Sequence, residues 1–110
     1  MKNNALTVLI RYIGQNGNAR KFVQEMIYSG VVDQIRKEDG NIRYEYFFPM
    51  EDEESVLLVD SWVNQEALDK HHQLPLMDII KQLREKYDLH MEVEKYQSII
   101  DEKNEQYIRK

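Results

Sequence analysis

The sequence predicts an α+β domain in which helical segments cover one face of a four-stranded antiparallel sheet. Three observations predict it. Residues 5–13, 42–48, 56–63 and 89–99 carry strand-like patterning. Residues 19–37 and 65–86 carry apolar residues at helical spacing. Turn residues fall between these stretches, and 110 residues leave room for one domain and one core.

The first strand reads A-L-T-V-L-I-R-Y-I. Leu6, Val8, Ile10 and Tyr12 alternate with Thr7, Leu9, Arg11 and Ile13, and both sets are largely apolar. A strand apolar on both sides is covered on both sides. G-Q-N-G-N at residues 14–18 is a turn, with Asn18 placed to cap the next helix. Phe22, Val23, Met26, Ile27, Val31 and Ile35 then form one helical stripe over residues 19–37. Gly30 inside it predicts a kink. Asp39-Gly40-Asn41 ends the helix, with Gly40 or Asn41 taking a positive φ.

In the second strand Ile42, Tyr44, Tyr46 and Phe48 face one way, and Arg43, Glu45 and Phe47 the other. Pro49 stops it, and residues 50–54 form an acidic connection expected to be solvated. V-L-L-V-D-S-W-V at residues 56–63 is the most β-like segment and completes an antiparallel hairpin. Asn64 caps a short helix over residues 65–73, and Pro75 opens a second helical turn. Leu76, Ile79, Ile80, Leu83 and Tyr87 mark its buried stripe. The fourth strand sets Leu89, Met91 and Val93 against His90, Glu92 and Glu94. The order is β-α-β-β-α-β, the ferredoxin-like arrangement, over residues 1–99. Residues 100–110 form a charged tail, expected to be frayed helix or disorder.

Composition narrows the function. The formal net charge is −5, and no basic patch interrupts it, which excludes a nucleic-acid surface. Cysteine is absent, so there is no disulfide, thiolate metal site or cysteine nucleophile. Residues 1–4 lead straight into the first strand with no apolar leader, and no apolar run approaches membrane-spanning length, so no membrane partner is expected. The cytoplasm is the expected compartment. His71 and His72 diverge by about 100° on their helix and lack a third ligand at a diagnostic spacing, so no metal site is expected.

The two-sided strands carry a further consequence. Two helices cover one face of the sheet, yet strand three offers Val56, Leu58 and Trp62 on one side and Leu57, Val59 and Val63 on the other. An uncovered apolar face of that size predicts a homodimer through the open sheet face, closing a dimeric α/β barrel.

Several ordered segments resemble a known family. L-T-V-L-I-R-Y (residues 6–12) resembles its opening strand, and N-G-N-A-R-K-F (residues 16–22) its turn and helix start. E-D-G-N-I-R-Y-E (residues 38–45) is similar to its acidic–Gly–x–x–x–Tyr entry to strand two. V-L-L-V-D-S-W-V-N-Q-E-A-L-D-K-H-H-Q-L-P-L-M (residues 56–77) resembles its strand–Trp–short helix–His–x–x–x–Pro pattern. The family is that of the antibiotic-biosynthesis monooxygenases, with quinol monooxygenases and relatives of haem-degrading enzymes. The resemblance implies a dimeric α+β barrel with a pocket in each protomer. It also implies oxidation of a phenol or quinol by O₂ with no metal, flavin or other cofactor. Asp60 stands where the family usually has Glu, and Leu76 where it often has His. No Asn lies within residues 5–13, where haem-degrading relatives use one.

Such chemistry needs apolar walls and a polar group that takes the phenolic proton. Asp60 and Trp62, two apart on a strand, share a face and make the best site candidates, with the indole N–H as a donor. The plainer reading makes Trp62 core and Asp60 a structural hydrogen-bonding group. His71 matches the family His and is the candidate proton acceptor; otherwise it borders the core. Tyr44 and Tyr46 are candidates to line the pocket, and Arg11 to hold an anionic oxygen. Met26, Met77 and Met91 read as core fillers. The leading reading is a cofactor-independent monooxygenase acting on a small aromatic or quinol. The alternatives are a non-catalytic small-molecule-binding or stress-response dimer, and a haem-binding or haem-degrading protein with His71 or His72 as ligand.

Overall fold

The computed structural model describes residues 5–99 and 102–110. The expected lead through residues 1–4, and residues 100 and 101 of the tail, lie outside the described residues. Four strands, β1 (Leu6–Ile13), β2 (Asn41–Phe47), β3 (Ser55–Trp62) and β4 (His90–Gln97), form one antiparallel sheet in the order β2-β3-β1-β4. The helices are α1 (Asn18–Tyr28), α2 (Val31–Arg36), α3 (Gln65–His72) and α4 (Leu76–Lys86). This is the ferredoxin-like α+β arrangement.

The helical stripe predicted as one helix is two. Gly30 sits at φ 87°, in the left-handed region where a Cβ would be strained. Its N–H bonds Ile27 O and its carbonyl receives Gln34 N–H, so the same glycine closes α1 and opens α2. Asn18 does not cap α1. It is the first helical residue, Gly17 holds the cap position, and the Asn18 side chain donates instead to Tyr87 O at 3.1 Å. Asn64 does cap α3, accepting from Ala67 N–H at 2.8 Å. Gly40 takes the expected positive φ of 86°. The acidic connection is more than solvated. Asp52 accepts from Arg11 and Ser55, and Glu54 accepts from the Asn16 and Gly17 N–H groups, fastening this loop to the β1–α1 turn. In the tail, Glu102–Tyr107 forms a 3₁₀ helix.

Register assigns every sheet residue to a face. Val8 pairs with Asp60 and Asp60 with Tyr44, while Ile10 pairs with Leu58 and Leu58 with Tyr46. These residues, with Leu6, Tyr12, Val56 and Trp62, point toward the helices. Phe22, Met26 and Ile35 pack on them, fully buried, and the Phe22 ring lies 4.9 Å from that of Tyr12. Side chains of this size contribute about 1.5–3 kcal/mol each by leaving water. The opposite face carries Leu9, Leu57, Val59 and Phe47, with Thr7, Arg11, Arg43, Glu45 and Ser61 around them. No element of the described residues covers that face. Strand β4 is exposed along its whole length.

Candidate functional site

Asp60 is the one carboxyl group buried in the helix-facing sheet, 4% exposed on the central strand β3. The period-two geometry of a strand brings Trp62 onto the same face, and its indole Nε1–H donates to Asp60 Oδ1 at 2.7 Å. The expectation that this N–H serves a bound molecule is therefore corrected: Asp60 already takes it. Burial pushes the Asp60 carboxyl up to about 6, against the pull of the Trp62 hydrogen bond and the nearby His71, while Glu38 adds to the rise.

His71 comes from the last turn of α3 and is 3% exposed. Its ring stacks on the Trp62 indole, with centroids 4.6 Å apart and planes 30° apart. Its Nδ1 lies 2.9 and 3.0 Å from the two oxygens of Glu38, which follows α2. At neutral pH a carboxylate only accepts, so Nδ1 carries the proton and Nε2 is left for whatever enters the site. A chain Glu38–His71–Trp62–Asp60 results, joined by a charge-assisted hydrogen bond, a ring stack and a second hydrogen bond. His72, one position on, is exposed and its ring centroid sits 5.6 Å from that of His71. Burial of part of its ring, followed by its proximity to His71 and Lys95, holds its pKa below the usual imidazole range. Glu38→Gln is expected to release the tautomer of His71, because an amide both donates and accepts. Ring ¹⁵N shifts would report this, and an unchanged tautomer would refute the role of Glu38.

A cleft of about 210 Å³ opens between the sheet and helices α3 and α4. Asp60, His71, Tyr44 and Tyr12 supply its polar groups, with Val8, Ile10, Leu58, Met77, Ile80 and Val93 as walls, and His72, Arg84 and Met91 also line it. Burial raises the Tyr12 phenol to about 12 and pushes that of Tyr44 well up from its ordinary value, so both remain neutral donors at working pH.

Of the residues singled out in the sequence, Asp60, His71 and Tyr44 line the cleft, while Trp62 is fully buried, bonded to Asp60 and stacked on His71 without lining it. Tyr46 shares their face and meets the Tyr44 ring edge-on at 5.8 Å, but lies one pair further along β3, opposite Leu58, and does not line the cleft. Arg11 is placed elsewhere. It projects from the opposite sheet face and pairs with Asp52 at 2.9 Å, because its neighbours in the alternation, Ile10 and Tyr12, take the inward positions. Met26 is fully buried, Met77 packs against the core and also borders the cleft, and Met91 borders the cleft while partly exposed. Glu38, Tyr12 and Arg84 were not singled out as site residues. Glu38 had a partial signal, in the acidic Glu38-Asp39 pair ahead of Gly40, and Tyr12 belongs to the inward set with Leu6, Val8 and Ile10. Arg84 had none, standing beside the helical stripe without belonging to it. Among the described residues no three His, Cys, Asp or Glu side chains gather as metal ligands, and no helix is long and apolar enough to cross a membrane.

Comparison with known proteins agrees with this architecture. A conserved protein from Methanosarcina mazei superimposes with a TM-score of 0.76 at 19% identity, covering 89% of this chain and 96% of that one. SnoaB, a cofactor-independent oxygenase from Streptomyces nogalater, gives a TM-score of 0.74 at 10% identity, covering 90% and 97%. A protein from Shewanella oneidensis gives 0.74 at 19%, covering 90% and 95%. At such identities the likeness concerns the fold alone. No curated protein matches the chain. The family model described as antibiotic biosynthesis monooxygenase matches residues 5–82, most of the sheet and nearly all of the helical layer. The chain belongs to the antibiotic biosynthesis monooxygenase family.

Proposed function

We propose that the protein is a cofactor-independent monooxygenase of the cytoplasm that oxidises a small aromatic quinol with O₂. The observation that carries this reading is a buried carboxyl with a pKa of about 6, set beside a buried, carboxylate-braced histidine at the wall of an apolar cleft. A carboxyl raised toward neutrality and an imidazole nitrogen free to accept are what proton transfer from a phenol requires. His71 Nε2 takes the phenolic proton, and the Glu38 carboxylate steadies the imidazolium. The quinolate, held out of water, gives electrons to O₂. One oxygen atom stays on a ring carbon and the other leaves as water, so that a quinol plus O₂ becomes a hydroxyquinone plus water. The substrate is the reductant. Asp60, on the far side of the indole, shares the proton load. An apolar cavity of about 150 Å³ holds benzene, so 210 Å³ suits one substituted ring. It does not suit a haem macrocycle.

Oxygen uptake with a panel of hydroquinones tests the reading. Wild-type protein is expected to consume O₂, and His71→Ala to lose roughly 10²-fold or more of the rate. Uptake unaffected by His71→Ala would end this assignment and favour a binding protein of the same fold.

The active unit in this reading is a homodimer joined through the open sheet face. Leu9, Val59, Leu57 and Phe47 lie in adjacent positions there and support it, since an apolar patch on a central sheet is costly to leave wet. The radius of gyration is 15.3 Å, against about 13 Å for a compact chain of this length, and β4 is exposed throughout. Sedimentation is expected to give twice 13.3 kDa for wild type, and a monomer for Val59→Asp, which places a charge in the joined sheets. A compact wild-type monomer at micromolar concentration would refute the dimer.

A further inference from the structure

Arg84 is the one guanidinium that lines the cleft. It is partly buried, and among the described residues it forms no ion pair. Its Nη1 reaches the Met91 sulfur at 3.2 Å, a weak acceptor, and its charge lies beside the Tyr12 hydroxyl. Glu85 and Asp88 share the neighbouring surface groove with it, together with Lys81, yet neither carboxylate pairs with it. In a chain of net charge −5, an arginine without a carboxylate partner at the edge of an apolar cleft leaves its charge available to an anion.

Its place in the cleft adds direction. Tyr12 pairs with Met91 across β1 and β4, so Arg84 reaches that row. Asp60 lies in the Val8 row, four residues away along β1, which is roughly 13 Å of strand. Tyr12, Asp60 and Arg84 nevertheless all line the same cleft. The cleft is thus polar at its two ends and apolar between: a proton-handling end at Asp60 and His71, and a cationic end at Arg84. An uncharged quinol would fill the middle and offer the partly buried guanidinium no anion in place of its weak Met91 contact. A planar carboxylate meets the guanidinium fork with two parallel hydrogen bonds.

We propose that Arg84 anchors a carboxylate on the substrate, so that the cleft selects a single-ring quinol acid over its neutral analogues. This rests on the quinol reading of the same site, and it adds the substituent that orients the ring: acid toward α4, phenolic oxygen toward His71.

The test is calorimetric titration without oxygen, using 2,5-dihydroxybenzoate and its methyl ester, two quinols alike except in charge. Wild-type protein is expected to bind the acid roughly tenfold or more tightly than the ester. Arg84→Gln is expected to weaken the acid alone and erase the difference, and Arg84→Lys to keep part of it. An ester bound as well as the acid, neither one bound, or a preference that survives in Arg84→Gln would overturn the proposal. Should Arg84→Gln not fold, the acid-to-ester ratio of wild type and of Arg84→Lys still decides. Oxygen uptake in parallel separates the two readings. Acid-selective binding without O₂ consumption keeps the anchor and removes the oxygenase; equal binding with consumption of both removes the anchor and keeps the oxygenase.

Discussion

Asp60→Asn is expected to gain stability above pH 6 while losing oxygenase activity. The carboxyl titrates at about 6 in the folded protein against 3.8 in the unfolded chain, chiefly because it is buried. Between those values the folded state holds the proton more firmly than the unfolded one. Stability from this group is therefore full below about pH 4 and is lost as pH rises through 6. The difference corresponds to roughly 3 kcal/mol. Other carboxylates slope the opposite way: Asp52, bonded to Ser55, is held below its usual range and loses its contribution as pH falls. The comparison of variant with wild type isolates Asp60. An asparagine carbonyl still accepts from Trp62, so the indole stays placed, although its new amide hydrogens need partners and reduce the gain. Urea unfolding from pH 4 to pH 8 should show the two proteins diverging only above pH 4. Parallel curves would mean that the buried carboxyl carries no penalty. A destabilising group retained at a cleft is the usual mark of a site tuned for chemistry rather than for stability.

Trp62→Phe should act in the opposite sense on the same carboxyl. The Trp62 hydrogen bond is the largest influence holding Asp60 down against burial. Without the indole N–H, Asp60 titrates above 6, and the acidic limb of the kcat/KM profile moves to higher pH. The smaller ring also leaves space beside His71, which now stacks on the indole. A loss of roughly 2–4 kcal/mol in stability follows from the missing hydrogen bond and the void together. The rate is expected to fall roughly 10²-fold, since His71 and Asp60 both lose their support. A pH profile identical to wild type, measured on folded Trp62→Phe, would break the link between indole and carboxyl. Because the residues touch, the Asp60→Asn and Trp62→Phe effects should not add.

Strand and helix periodicities in this sequence were strong enough to dictate the order of elements, and with it the ferredoxin-like topology. The same alternation that places Tyr44, Asp60 and Trp62 on one face needed no structure to read, since it follows from the two-residue repeat of a strand. Even the turn at Gly40 was legible, because only the turn chemistry fits there. Local pattern misjudged the helix at Gly30, where one residue both stops and restarts the backbone, and it misjudged Asn18, whose side chain prefers a carbonyl from the far end of α4.

The site was decided at longer range. Whether Arg11 points inward or outward depends on which face of β1 the helices cover, and an alternation apolar on both sides does not say. Glu38 and His71 stand 33 residues apart and meet only because α2 and α3 end beside each other. Arg84 reaches the cleft through the packing angle of α4 against the sheet. Sequence periodicity fixes direction within one element, because it is a property of the local backbone. Distances between elements are set by how whole faces pack, and the chemistry of this cleft lies in those distances.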